Sequence, residues 1–171
     1  MVMAEAARQM LDDIGVDSSR MSLQWASAAE APRFVELITG YVSDIKSKGA
    51  LGTGENEADA STLRRRLDAA VKAAAGRKPR TAFGMLAKKL GKDNDYSPEA
   101  IAKGVKAKVI PGFRALRIAE EVKLCLEEKG GLDAADLCSM TGASSEEMDK
   151  ALADLAKKKH VSEDNGRWSL V

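Results

Sequence analysis

An Asn-Gly pair at residues 165–166, close to the end of the chain, is the feature that most limits the possible fold. It lies between two short stretches in which apolar and polar residues alternate, and in that setting it predicts a tight β-hairpin. Three amphipathic helical patterns precede it, over about residues 113–129, about residues 133–140 and from Ser144 or Ser145 onward. A glycine turn separates the second from the third. The sequence therefore predicts three short helices followed by a two-stranded hairpin.

This order of elements resembles the winged helix, a variant of the helix-turn-helix, over residues 113–171. In DNA readers of that kind, the helix that follows the turn enters the major groove by its first residues. Here those residues include Glu146, Glu147 and Asp149, which would face phosphates that Lys or Arg must neutralise. We therefore expect a structural or protein-docking role for this unit rather than sequence-specific DNA binding.

The first 50 residues predict a helix, a short strand and a second helix. Apolar residues recur at helical spacing as far as Ile14, and Gly15 can end that first helix. Residues 20–25 then alternate like a strand that is covered on one face. The residues of the covered face would be Met21, Leu23 and Trp25.

The start of the second helix has two readings. Ser27 and Glu30 have the spacing of a capping box, whereas Pro32 fits only a first turn and favours a start nearer Ala31. Helical spacing continues from Phe34 to a natural stop at Gly49.

The same stretch carries a family resemblance. It contains the run Leu-Asp-Asp-Ile-Gly-Val at residues 11–16, followed by Arg20, Trp25, Ala26, Ser27, Ala28, Glu30 and Phe34. Over roughly residues 3–52 it resembles the C-terminal end of the delta subunit of methyl-viologen-reducing hydrogenase. That iron-sulfur domain also occurs fused to, or encoded beside, heterodisulfide reductase A-type proteins and related subunits of quinone-interacting oxidoreductase complexes. The resemblance implies a place in an electron-transfer assembly, with other subunits of such a complex as partners.

The resemblance does not bring a redox centre with it. The family is understood to bind its cluster through cysteines that would precede the equivalent of Met1, so we expect the iron-sulfur cluster in an upstream part and no cofactor in this chain. The two cysteines, Cys125 and Cys138, lie outside the matched segment, and with the single His160 they form no zinc or cluster pattern. We expect buried thiols, and a chain that is a fragment of a longer polypeptide.

The net charge of +1 hides a segregation of charge along the chain. Residues 1–63 carry 5 basic and 10 acidic side chains, residues 64–108 carry 13 and 4, and residues 114–171 carry 9 and 12. Such asymmetry bears on association rather than on fold. We call the basic stretch of residues 64–108 the basic belt. Its candidate docking residues are Arg64, Arg65, Arg66, Arg77, Lys78, Arg80, Lys88 and Lys89.

The partner of these cations would be an acidic protein surface, a phosphate or a nucleic acid. The first three would lie in the opening turns of a helix, where positive charge opposes the helix dipole. The alternative is a solvated helix face whose cations pair within the chain, for example with Asp68.

The central part of the chain predicts further helices. Ser61 can cap one that runs to Ala75, Thr81 can cap a short one, and Ser97 before Pro98 can cap another. Pro111 and Gly112 would end this segment. The glycine-rich, acidic stretch of residues 51–60 is typical of a linker.

The predicted fold class is mainly α with a small β content. Its parts are an N-terminal αβα remnant of an α/β domain at residues 1–50, a linker at 51–60, a basic helical segment at 61–112 and a winged-helix-like domain at 113–171. An apolar run long enough to span a bilayer and a signal-peptide leader are both missing, so we expect a cytoplasmic protein. With one histidine and no phosphate-binding glycine motif, we identify no catalytic residues.

Two functions follow as hypotheses. The first is the cofactor-free C-terminal portion of an electron-transfer subunit, of hydrogenase or heterodisulfide reductase type, that mediates subunit docking and is itself non-catalytic. The second is a winged-helix nucleic-acid-binding regulator that uses the basic belt at residues 64–108.

Overall fold

The computed structural model describes residues 1–52 and 59–171, and this part of the chain is mainly helical with one small sheet. Its helices are α1 Val2–Asp13, α2 Ala31–Lys48, α3 Ala60–Ala75, α4 Arg77–Asp93, α5 Pro98–Lys108, α6 Ile110–Lys129, α7 Ala134–Thr141 and α8 Ser145–Lys157. A 3-10 turn, Ser18–Arg20, follows α1, and the strands are β1 Val161–Asp164 and β2 Arg167–Leu170. The predicted class, mainly α with a small β content, is confirmed. Most of the predicted linker, residues 53–58, lies outside the described residues.

Helix α6 is the centre of the packing, in contact with α1, α3, α4, α5, α7 and α8. One core lies between α6 and the C-terminal elements, and includes Val122, Leu137 and Met148. A second joins Ala6 of α1 to apolar residues of α4 and α5. A third joins Ile14, Val16, Leu63, Ala70, Ala73 and Phe113. Helix α1 therefore shares its core with the central helices, whereas no residue of α2 is buried.

The C-terminal elements have the predicted order. Gly142 ends α7 in the left-handed conformation, and Ser144 opens α8 with a capping box. Asn165 and Gly166 both have positive φ, 50° and 80°, as a two-residue hairpin turn requires. The pairing places Asp164 opposite Arg167. The three helices and the hairpin are confirmed, and the assignment to the winged-helix fold stays a prediction.

The predicted strand at residues 20–25 is wrong, and with it the β part of the αβα arrangement. The chain forms the 3-10 turn instead, because the Asp17 carboxylate accepts a hydrogen bond from the Ser19 amide, and an extended stretch follows from Met21. Within residues 1–52 and 59–171 no second strand pairs with it, so its backbone gains no ladder. The alternating face is not covered: Trp25 is 70% exposed.

Three predicted helix boundaries are also wrong. Asp59, not Ser61, caps α3 by accepting a hydrogen bond from Thr62 at 2.8 Å. Thr81 lies inside α4, which starts before Pro79. Proline lacks an amide hydrogen, but the amides of the first turn have no helical partner in any case, so Pro79 is accepted there.

The same reason applies to α6, which begins at Ile110 and includes Pro111 and Gly112 in its first turn. The other predicted ends hold. Helix α2 starts at Ala31 and ends at Gly49, whose φ is 73°, and the Ser97 hydroxyl caps α5.

Candidate functional site

The 3-10 turn fastens α2 to the rest of the chain by polar contacts. The Lys48 ammonium hydrogen-bonds the Asp17 carboxylate and holds the pKa of that carboxyl far below its ordinary value. The Arg20 guanidinium donates to the carbonyls of Lys48 at 3.1 Å and Gly49 at 3.0 Å. The Tyr41 hydroxyl donates to the Arg20 carbonyl at 2.5 Å. Helix α2 is thus held at its middle and its C-terminal end.

The outward side of α2 and of the extended stretch before it is apolar. We call it the α2 apolar face, and it consists of Leu23, Trp25, Phe34, Val35, Ile38 and Val42. The side chains of Phe34 and Val35 are 57% and 61% exposed. A shallow groove lies between the stretch and the helix, lined in part by Leu23, Phe34 and Ile38. Contiguous exposed apolar surface of this kind marks interaction sites in soluble proteins.

A buried ion network ties α1 to α6. Asp13, in the Leu-Asp-Asp-Ile-Gly-Val run, accepts hydrogen bonds at 2.8 Å from both Arg114 and Arg117. Arg117 is 2% exposed and also donates to Glu121, one helical turn on, at 2.5 Å. Moving α1 away from α6 would take the Asp13 carboxylate from the buried Arg117, and loss of a partner by a buried charge is costly. Asp13 therefore fixes the end of α1 on the central helix.

Helix α3 completes this network with two of the predicted docking cations. The guanidinium groups of Arg65 and Arg66 each lie 3.6 Å from the fully buried Glu121 carboxylate. Arg65 also donates to the Met140 carbonyl at 3.2 Å. Burial raises the pKa of Glu121, and Arg117, Arg66 and Arg65 act against this rise. Arg65, at 6% exposure, serves the interior of the protein and offers no charge to a partner.

A further ion pair joins α6 to α8. Arg114 binds Glu147 through two hydrogen bonds, of 2.6 Å and 3.2 Å. The bond from Arg114 lowers the pKa of Glu147 to about 2, and the same contact raises the pKa of Arg114. Glu147 also accepts from the Ser144 amide in the capping box. Glu147, at the acidic start of α8, is therefore paired within the molecule.

The remaining predicted docking cations lie on the surface. Arg64 is exposed on α3. The other five are exposed on α4, and they are Arg77, Lys78, Arg80, Lys88 and Lys89. The structure thus divides the predicted set into a buried Arg65, a half-buried Arg66 and six exposed cations.

The described residues do not fit an iron-sulfur cluster. Such clusters are held by about four thiolates, and the chain has two cysteines, both in the C-terminal core. Burial raises the pKa of the Cys125 thiol to about 11, and burial also raises that of Cys138. Over residues 1–52 and 59–171, no three acidic, Cys or His side chains come together as metal ligands. We assign no chemical step to a cluster in this chain.

The comparisons with known proteins bear on the N-terminal part. A family model described as methyl-viologen-reducing hydrogenase, delta subunit, matches residues 2–49. No curated protein and no solved structure matches the chain. None of the helices in the described ranges has the length and apolar character needed to cross a bilayer. The matched segment spans α1, the 3-10 turn and α2, and so contains both Asp13, which binds Arg114 and Arg117 of α6, and the α2 apolar face.

Sequence reasoning missed the ion network and the open apolar face. A signal for the network was present in α6: Phe113, Arg117, Glu121 and Cys125 follow at intervals of four and share one side of the helix. All four are buried. The spacing could have indicated a charged pair within a buried stripe, but nothing local identifies Asp13 as its partner.

Proposed function

We propose that the chain is a non-catalytic, docking part of a subunit of a hydrogenase or heterodisulfide reductase-type electron-transfer complex. In this proposal the α2 apolar face contacts another subunit of the complex. The winged-helix-like unit at residues 113–171 acts as a structural extension that fixes the orientation of the segment.

One observation carries the proposal: the family match at residues 2–49 coincides with the part of the chain whose helix α2 buries none of its residues. Most of the stability of an amphipathic helix comes from covering its apolar face. Here Phe34, Val35, Ile38 and Val42 keep that face in water. A second subunit would supply the missing cover, which is the role expected of a subunit in a multi-protein complex.

Co-expression tests the proposal. The tagged chain would be produced with hydrogenase or heterodisulfide reductase-type subunits encoded in the same genome and purified at low salt. We expect such a subunit to co-purify with the tagged chain. Recovery of the chain without any of these subunits would argue strongly against the proposal.

A pair of matched variants locates the contact. Val35→Asp puts a carboxylate into the proposed interface, and we expect the Kd for the partner to rise at least about tenfold, which corresponds to about 1.4 kcal/mol. Val71→Asp is the control, since Val71 is 69% exposed, against 61% for Val35, and lies on α3, which makes no extensive contact with α2. If both variants bind like the parent chain, or both lose binding equally, the α2 apolar face is not the docking surface.

A further inference from the structure

Helix α4 presents a row of cations that subunit docking through α2 does not use. The row consists of Arg77, Lys78, Lys88, Lys89 and Lys92, all exposed. We call it the α4 basic stripe. Arg77, Lys88 and Lys92 fall on the side of the helix opposite to the buried residues Leu86 and Leu90, and Lys78 and Lys89 lie on one flank of that side. At a rise of about 1.5 Å per residue, the stripe is about 22 Å long.

Nothing in the described chain neutralises this stripe. In residues 1–52 and 59–171 none of its cations forms an ion pair. Residues 69–92 contain seven basic side chains and no acidic one, and the acidic residue of α4, Asp93, lies at its C-terminal end. Arg77, Lys78 and Arg80 also stand in the first turn of α4, where the positive end of the helix dipole disfavours cations. The arrangement costs α4 stability, and a bound polyanion would reverse that cost.

We propose that the α4 basic stripe binds the phosphodiester backbone of duplex nucleic acid without reading its base sequence. The charge of the stripe is of one sign throughout, which matches a phosphate backbone better than a protein surface of mixed charge. The pair Arg77 and Lys78 and the pair Lys88 and Lys89 are about 16 Å apart along the helix. The major groove of DNA is about 12 Å wide, so the two pairs can meet phosphates on both of its sides.

Two features limit the kind of partner. The apolar side of α4 is packed in the core through Leu86 and Leu90, and the single exposed Met85 does not make an apolar face that could enter a lipid surface. The element that would read bases in a helix-turn-helix, the start of α8, is acidic, and its Glu147 is bound by Arg114. Binding therefore rests on phosphates alone and is independent of base sequence.

Fluorescence anisotropy of the full chain with a labelled 24-base-pair duplex, measured between 25 and 200 mM NaCl, tests the proposal. Five phosphate contacts predict a slope of about −4 to −5 in a plot of log K against log salt concentration. An AT-rich and a GC-rich duplex should bind with the same affinity within a few-fold. No binding at 50 mM salt, or a preference above tenfold for one duplex, would overturn the proposal.

Two triple variants with the same loss of charge identify the surface. Lys88→Gln, Lys89→Gln and Lys92→Gln together should make the salt slope shallower by about 2 to 3 and weaken binding at least about tenfold at 50 mM salt. The control replaces Lys157, Lys158 and Lys159, an exposed run at the end of α8, by Gln and should keep the parent affinity. Circular dichroism checks that both variants fold. Equal losses in the two variants would show a nonspecific charge effect and overturn the proposal.

A competition experiment tests whether the α4 basic stripe binds an acidic protein instead of nucleic acid. Polyglutamate, at the same concentration of charge as the duplex phosphates, should displace the labelled duplex poorly, because its flexible chain does not hold charges at the spacing of a duplex backbone. Displacement as efficient as that by unlabelled duplex would assign the stripe to an acidic protein partner and overturn the nucleic-acid proposal.

Discussion

Replacing the buried Glu121 by Gln tests the energetic importance of the ion network that joins α1, α3 and α6. Glu121 is 0% exposed and faces Arg117, Arg65 and Arg66. Removing one partner of a buried ion pair typically costs about 3–5 kcal/mol, because the remaining charge stays in the interior. The amide of Gln keeps the shape of the side chain and one acceptor, so we expect the lower end, about 3 kcal/mol.

That loss would be a large part of the stability of the protein. Native proteins are stable by about 5–15 kcal/mol, and for a chain of this size about 1 kcal/mol shifts Tm by about 2–4 °C. We therefore expect Glu121→Gln to lower Tm by about 6–12 °C at pH 7 and to shift the midpoint of urea unfolding in parallel. Glu146→Gln is the control, since Glu146 pairs with Lys150 on the surface, with side-chain exposures of 79% and 74%. We expect it to leave Tm unchanged.

The refuting result is a Glu121→Gln variant as stable as the parent chain. It would mean that burial raises the pKa of Glu121 enough to keep the carboxyl protonated in the folded protein, in spite of three arginines. An amide would then replace a neutral acid at little cost. The reasoning that treats Glu121 as the central anion of the network would be wrong.

Two further predictions concern acid stability and glycine positions. Arg114 lowers the pKa of Glu147 from its ordinary value of 4.5 to about 2 in the folded state. As pH falls, the unfolded chain therefore binds a proton at this carboxylate before the folded chain does. The stability that the pair supplies is lost as pH falls from about 4.5 to about 2. Urea unfolding across this range should show a smaller loss in Glu147→Gln, and identical pH profiles would contradict the assignment. Gly84→Ala in α4, where the added Cβ has nothing within 4 Å, should raise stability by about 0.5–1 kcal/mol through helix propensity. Gly166→Ala, at φ +80° in the hairpin turn, should lower stability by about 1–2 kcal/mol. Thermal unfolding measures both variants, and changes in Tm of the same sign would contradict this reasoning.

The helices were predictable from the sequence where a local rule determines the structure. Gly49 and Gly142 end their helices in positive-φ conformations, and Asn165 and Gly166 form the hairpin turn, since each rule depends only on neighbouring residues. The prolines show the limit of such rules. The predicted start at Thr81 leaves Pro79 outside the helix, although a proline is equally suited to the first turn of a helix.

Features that depend on distant partners were not predictable in this way. Alternation at residues 20–25 indicates which side chains share a face, but a strand also needs a second strand, and the described chain provides none there. Arg64, Arg65 and Arg66 are equal in sequence, yet only Arg65 is buried, because the side of α3 that faces α6 is determined by packing. The predicted cover of Trp25 is wrong for a similar reason, since alternation does not indicate whether another element packs on that face. The candidate docking cations of α4 are exposed in the structure, and their role in docking stays a prediction.

The way in which α2 is attached has a consequence for the energy landscape of the folded protein. Ion pairs and hydrogen bonds at Asp17, Arg20 and Tyr41 hold it, while none of its side chains contributes to a buried core. Such a helix belongs to the least stable cooperative unit of a protein and can detach in a sub-global opening that leaves the rest intact. Its backbone amides would then exchange with solvent long before those of α6, and capture by another molecule would slow that exchange without any change in the core.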